Sequence, residues 1–220
     1  CIAYKINTAF YESLGAKGWT SMQKTVDYIN KNFPKIFTIA DAKRGDIGNT
    51  SKMYAKSFFG EMNFDSITVN PYMGSDSVKP FLEFENKFTI ILGLTSNIGA
   101  DDIQLKTTNN DFVFMEMIKS CSQWGNQNNM MFVVGATKSE YIKKIRNLIP
   151  NHFLLIPGVG AQGGDLNEVC KFALNDKIGI IVNSSRSIIY ASGDENFAIE
   201  AAKQAMILQN EMKAILSERK

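Results

Sequence analysis

Histidine and cysteine are nearly missing from this 220-residue sequence, and with them go several common chemistries. Cys1, Cys121 and Cys170 are odd in number, far apart and contain no C-x-x-C pair. Neither a disulfide framework nor a zinc site is expected from them, and a reducing, cytoplasmic setting fits such cysteine usage. His152 is the one histidine, set just before the apolar run Phe153-Leu154-Leu155-Ile156, so it is read as structural. It cannot build a metal site without carboxylate help, and no metal is expected. No apolar run approaches the ~20 residues of a membrane-spanning helix, and the first residues lack a basic-then-apolar leader. No membrane role is expected. Charge of one sign is also lacking: the net charge is +2, which gives no reason to invoke nucleic acid. Small molecules remain as partners.

What is present is a 45% hydrophobic, 21% charged composition, that of a soluble globular protein with a substantial core. A single domain over residues 1–220 is expected. Because it starts at Cys1 rather than Met, the sequence is expected to be N-terminally incomplete.

Seven short segments, rich in apolar and β-branched residues, read as strands: 1–7, 37–43, 66–72, 88–95, 130–136, 153–157 and 178–183. Helical spacing fills the intervals, at 9–14, 20–32, 50–63, 80–85, 111–124, 139–148, 166–173 and 196–216. Segment 139–148 opens with the polar residue of a helix cap. The polar stretch 96–110 is the longest irregular one. Apolar strands alternating with helices imply a parallel sheet covered by helices. An open sheet gathers its ligands at one switch point, whereas here polar residues end essentially every strand: Lys5, Lys43, Asn70, Thr95, Thr137, Gln162 and Arg186. That pattern favours an α/β fold of the (β/α)8 TIM-barrel type. Seven strands do not close such a barrel, so its first strand is expected before Cys1.

Two constellations carry candidate chemistry. In Phe37-Thr38-Ile39-Ala40-Asp41-Ala42-Lys43-Arg44-Gly45-Asp46-Ile47 an apolar strand ends in two acids and a lysine. Alternation puts Asp41 and Lys43 on one side, and Arg44-Gly45 turns the chain before Asp46. Lys5 and Asn7 share a face of the first strand, and a lysine facing the core needs a partner. Taken alone, the run also fits an ordinary salt bridge at a strand-to-helix turn. The second constellation is the glycine-rich loop 158–165 together with Asn183-Ser184-Ser185-Arg186. Barrels often hold phosphate after their last two strands, where backbone N–H groups approach the oxygens and an arginine adds a bidentate donor. Two tight turns with a surface arginine are the alternative. The loop is not a P-loop, because the G-K-[ST] ending is absent.

Lys5, the D-x-K-x-x-D-I run at Asp41 to Ile47, the loop Pro157-Gly158-Val159-Gly160-Ala161-Gln162-Gly163-Gly164-Asp165, and Arg186 follow one another in an order that resembles the orotidine 5'-phosphate decarboxylases. The resemblance spans the visible chain, and segment 96–110 is similar to the protozoan members. It implies decarboxylation of orotidine 5'-monophosphate to uridine 5'-monophosphate, the last step of de novo pyrimidine nucleotide synthesis, with no metal or organic cofactor. Lys5, Asp41 and Lys43 would form a charged network under the orotate ring, with Lys43 protonating C6. Asp46 would join that network from the second subunit of a homodimer. Ile47 and Thr50 would also reach the partner's site, Thr50 toward the ribose. Thr95 and Ser96 would meet the pyrimidine and its carboxylate side. Gln162, Gly163 and Arg186 would hold the 5'-phosphate, and Asn7 would touch the ribose. An orotate phosphoribosyltransferase, fused or associated, is a further partner the resemblance allows. Magnesium-dependent sugar-phosphate enzymes of the same superfamily share D-x-K-x-x-D but need an acid where Lys5 stands, and a lysine there repels a divalent ion. A non-catalytic phosphate-binding protein is the reading from another class.

Overall fold

All seven apolar segments become parallel strands, and alternation along them sorts the apolar side chains into two cores. The computed structural model describes residues 1–109, 111–159 and 163–219. The strands are β1 (Ala3–Asn7), β2 (Phe37–Arg44), β3 (Ser66–Val69), β4 (Phe88–Leu94), β5 (Met130–Val134), β6 (Phe153–Pro157) and β7 (Ile180–Asn183). They pair side by side in sequence order, each parallel to the next, with β1 and β7 at the edges. The helices are α1 (Ala9–Glu12), α2 (Gly15–Asn32), α3 (Gly48–Ala55), α4 (Ser75–Leu82), α5 (Ala100–Ile103), α6 (Val113–Cys121), α7 (Ser139–Leu148), α8 (Leu166–Ala173), α9 (Arg186–Ile189) and α10 (Phe197–Ser217). Strands in sequence order, parallel and separated by helices, are the architecture of a (β/α)8 TIM-type barrel, seven of whose strands are seen here.

One face of the sheet gives an inner core of Ile39, Ile90, Met131, Val133 and Leu155, flanked by Phe37, Phe88 and Phe153. The other face, with Ala40, Ile67, Ile91, Phe132, Val134, Leu154 and Ile156, packs against the helices. Met22 and Val26 of α2 enter this outer core and Ile29 is buried on the same side of the helix, as their helical spacing predicts. Because Ile39 belongs to the inner core, Asp41 and Lys43, two and four residues further along β2, continue the same inward row. The strand therefore carries charge to the mouth of the barrel.

Several boundaries differ from the sequence reading. The helix expected at 80–85 is α4, which starts at Ser75 after Gly74, a residue with φ of +95°, so Pro80 lies inside the helix rather than opening it. The helix expected at 50–63 is α3 followed by a π-helical turn over Lys56–Glu61. That wider turn lets the adjacent Phe58 and Phe59 both enter the core, whereas Met53 stays half-exposed. Among the described residues no side chain caps α7; the Ser139 hydroxyl donates instead to Glu168 Oε2. Residues 96–110 include the short helix α5.

At the opposite end of the barrel, Arg146 is buried and its guanidinium donates to the carbonyls of Ile149, Pro150, His152, Ala173 and Gly179. One side chain thus ties the chain entering β6 to the one entering β7. His152 stacks edge-on against Phe132, and neither ring nitrogen has a partner among the described residues. Burial, reinforced by the Arg146 charge, holds its pKa below the ordinary 6.5. A group whose folded pKa is depressed binds more protons when unfolded, so stability falls as pH drops below about 6.5 toward the folded value. Thermal unfolding at pH 7 and pH 5 is expected to show a drop in Tm for the wild type that is smaller in His152→Phe. Equal drops would remove His152 as the origin.

Candidate active site

The end of β2 is held in an unusual shape. Ala40 pairs with Ile67 and Arg44 with Val69, so β2 carries two more residues than β3 over this interval. Such a bulge re-aims side chains. Lys43 takes φ of +48°, a left-handed conformation that disfavours residues with a Cβ. Bonds from within the strand and from neighbouring elements hold its peptides in place. The Asp41 carbonyl accepts the Thr8 N–H at 3.4 Å, the Ala42 carbonyl accepts Arg44 Nη1 at 3.0 Å, and the Arg44 carbonyl accepts the Asn70 N–H at 2.8 Å. The Lys43 N–H donates to Thr68 Oγ1 at 2.9 Å. Arg44 points away from the inward row, where its guanidinium pairs with Glu12 and lies 5.4 Å from the ring centroids of Tyr54 and Phe58.

Inside the mouth, Asp41 sits between two lysines. Its Oδ2 is 2.9 Å from Lys5 Nζ and its Oδ1 is 2.6 Å from Lys43 Nζ. The Thr68 hydroxyl also donates to Oδ1, at 3.1 Å. Lys5 thus finds the partner that a core-facing lysine requires. The Lys5 and Asp41 side chains are 12% and 11% exposed, but Lys43 is 50% exposed, so only Lys43 is open to an incoming molecule. Burial pushes the Asp41 carboxyl up, yet the Lys5 charge and the contacts with Lys43 outweigh it and leave the pKa below the ordinary value. The triad carries a net charge of about +1, suited to negative charge arriving or developing beside Lys43.

The other predicted residues separate into groups. Asp46 lies past the turn, where its Oδ1 accepts the Ile47 N–H at 2.7 Å; it makes no ion pair with Lys5 or Lys43 of its own chain. Ile47 and Thr50 are exposed around the start of α3. The Thr95 hydroxyl donates to Asn97 Oδ1 at 2.6 Å and accepts from Gln104 Nε2 at 2.7 Å. The Ser96 carbonyl accepts the Thr137 hydroxyl at 3.4 Å, which links the loops after β4 and β5. Asn7 accepts the Ala9 N–H through its amide oxygen.

In the glycine-rich loop, Gly158 and Gly163 have φ of +97° and +86°. A Cβ on Gly164 would stand 2.8 Å from the Gly158 carbonyl oxygen, so the loop doubles back closely enough to need glycine there. Gln162 lies outside the described residues. Arg186 opens α9, exposed, and makes no ion pair among the described residues. Parallel strands bring the described positions to the carboxyl-end face, the functional face of such barrels. Among the described residues no cluster of three or more His, Cys, Asp or Glu could hold a metal ion. Sequence reading missed Thr68, Arg44, Glu12 and Gln104. Thr68 alone left a trace, a polar residue among apolar ones near a strand's carboxyl end.

The sequence profile of the Orotidine 5'-phosphate decarboxylase / HUMPS family matches residues 1–202. An orotidine 5'-phosphate decarboxylase of Flavobacterium johnsoniae is 59% identical over 98% of this chain and 79% of its own length. Among solved structures, the OMP decarboxylase of Leishmania donovani superposes with a TM-score of 0.85 at 32% identity, covering 97% of this chain and 80% of that one. The UMP synthase of the same organism gives a TM-score of 0.87 at 34% identity over 97% of this chain, which spans only 46% of that longer protein. The protozoan likeness expected from residues 96–110 is not supported, since the bacterial relative shares 59% of residues and the two protozoan structures 34% and 32%.

Proposed function

The chain belongs to the orotidine 5'-phosphate decarboxylase / HUMPS family, and on that premise we propose that it is the carboxy-lyase converting orotidine 5'-monophosphate to uridine 5'-monophosphate, with Lys43 as proton donor. The observation that carries this reading is the Lys5–Asp41–Lys43 row. The family also includes sugar-phosphate enzymes, which need an acid where this chain has Lys5, an ammonium 2.9 Å from Asp41. The identity of 59% to a relative named as the decarboxylase points the same way.

The chemistry follows from the charges. The C6–carboxylate bond breaks with its electron pair left on C6, carbon dioxide departs, and a proton passes from Lys43 Nζ to C6. Lys43 then regains a proton from water. An ammonium already in place stabilises the carbanion more than the substrate, so it acts chiefly on the transition state. Asp41, an anion under the departing carboxylate, disfavours the ground state while orienting both lysines. Thr95 and Ser96 bind the pyrimidine side, Asn7 the ribose, and Gln162, Gly163 and Arg186 the 5'-phosphate. Binding energy spent on the phosphate holds the loops around the ring.

Each site is completed by a second copy of the chain, whose Asp46, Ile47 and Thr50 enter from across the interface. This is supported by Asp46 standing outside its own triad. It is supported too by the exposed Ile47 and Met53 at 53% and 49%, with Thr50 between them at helical spacing, and by Tyr72 at 85%. The reading extends to a cytoplasmic location, consistent with three free thiols. It extends also to an orotate phosphoribosyltransferase as a companion, a suggestion prompted by the match to a much longer UMP synthase.

Loss of orotate absorbance on incubation with orotidine 5'-monophosphate, with chelator present, tests the activity. No turnover would leave the phosphate-binding reading. In the same assay Arg186→Ala is expected to weaken use of the nucleotide by at least about 30-fold, ~2 kcal/mol for a lost charged contact, and to leave the slower nucleoside reaction almost untouched. Equal impairment of both substrates would make Arg186 structural.

A further inference from the structure

Thr68 lies on β3, fully buried, on the inward side of a strand whose Ile67 and Val69 face the helices. Its hydroxyl has two partners: Oγ1 lies 2.9 Å from the Lys43 backbone nitrogen and 3.1 Å from Asp41 Oδ1. The direction of both bonds is fixed by chemistry. A backbone N–H only donates and a carboxylate only accepts, so the single hydroxyl proton goes to Asp41 and a lone pair receives the Lys43 N–H. Asp41 Oδ1 in turn holds Lys43 Nζ at 2.6 Å. A closed ring results, running from the Thr68 hydroxyl to Asp41, to the lysine ammonium, down its side chain to the backbone, and back to the hydroxyl. Lys43 is thereby gripped at both ends. The grip falls on a residue at φ of +48°, a conformation its own backbone disfavours and its surroundings must impose.

We propose that Thr68 is a positioning residue for the decarboxylation, its hydroxyl fixing both the backbone of Lys43 and the carboxylate that orients the Lys43 ammonium. Thr68 touches no substrate and acts only through Lys43 and Asp41. This inference rests on the decarboxylase reading above and adds to it a residue outside the D-x-K-x-x-D run. A displacement of the proton donor by about 1 Å is enough to cost on the order of 100-fold in rate.

The experiment compares the full-length wild type with Thr68→Val, which keeps the branched shape and loses the hydroxyl, and Thr68→Ser, which keeps the hydroxyl and loses the methyl. Turnover of orotidine 5'-monophosphate and calorimetric binding of the product uridine 5'-monophosphate are measured for each. Thr68→Val is expected to lower kcat by on the order of 100-fold with product affinity within about threefold of wild type. Thr68→Ser is expected to stay within about fivefold in kcat. In a Lys43→Ala background, Thr68→Val should cause no further loss in single-turnover rate, since the group it positions is gone. A Thr68→Val enzyme with near-normal kcat, a serine variant as impaired as the valine one, or parallel losses of kcat and product affinity would each overturn the proposal. Should Thr68→Val fail to fold, Thr68→Ala serves as the hydroxyl-free variant. Failure of both to fold while Thr68→Ser folds would assign the threonine to folding and also overturn it. A wild type without turnover would instead sink the decarboxylase reading, so the two failures are distinct.

Discussion

Replacing Lys43 by alanine is expected to lower kcat/KM by at least about 10⁴-fold, more than ~5 kcal/mol of transition-state stabilisation, while leaving the barrel folded. The size follows from the two roles proposed for Lys43, lost together: a proton for C6 and a preorganised positive charge beside the developing carbanion. The fold is spared for reasons visible at the site. The Lys43 side chain is half-exposed, so its removal opens no cavity. Alanine keeps a Cβ at the same φ, and the N–H to Thr68 survives the change. Asp41 loses one partner but keeps Lys5 at 2.9 Å and the Thr68 hydroxyl at 3.1 Å. Tm is therefore expected within about 2–4 °C of wild type, the shift that ~1 kcal/mol produces in a chain of this size. Turnover with orotidine 5'-monophosphate and a thermal scan check both halves. Near-normal turnover would take Lys43 out of its role, and a collapsed Tm would show that the lysine supports the strand end rather than the chemistry.

Two inactive chains are expected to restore activity when mixed, provided they carry Lys43→Ala and Asp46→Ala separately. Only the Arg44-Gly45 turn separates these residues in sequence, yet Lys43 faces Asp41 while the Asp46 carboxylate turns back on the Ile47 N–H outside the row. If Asp46 serves the neighbouring copy, each site draws Lys43 from one chain and Asp46 from the other. A mixed symmetric dimer then has one site with both lesions and one with neither. After random exchange about half the dimers are mixed and half of their sites intact, so recovery reaches roughly a quarter of wild-type activity per total site. Co-refolding the two variants, with each refolded alone as control and mixed dimers verified by mass, gives the answer. No recovery would mean that both residues serve one site from one chain.

Much of this architecture was legible beforehand because its signals are local. An apolar run of five to eight residues bounded by polar turns announces a strand whatever surrounds it, and all seven strands formed where expected. The helices over Ser139–Leu148 and Leu166–Ala173 have the limits their spacing predicts. Period-two alternation was enough to place Asp41 and Lys43 on one side, because it is a property of the extended backbone itself. The demand of Lys5 for a partner was likewise set by its apolar neighbours. Which partner it takes was not, since Lys5 and Asp41 are 36 positions apart and meet only through the register of β1 on β2.

Tertiary structure alone decided the rest. The bulge between β2 and β3 depends on two strands failing to keep step, and neither sequence reveals it in isolation. The positive φ of Lys43 runs against its own propensity and persists because bonds from Thr68, Asn70 and Arg44 surround it. Thr68 left only the trace of a polar residue in a strand until folding carried its hydroxyl between the lysine backbone and the carboxylate. Sequence thus determined which side chains bring charge to the mouth of the barrel. Only the packed neighbours determined how that charge is aimed, because aim depends on hydrogen bonds between residues that are distant along the chain.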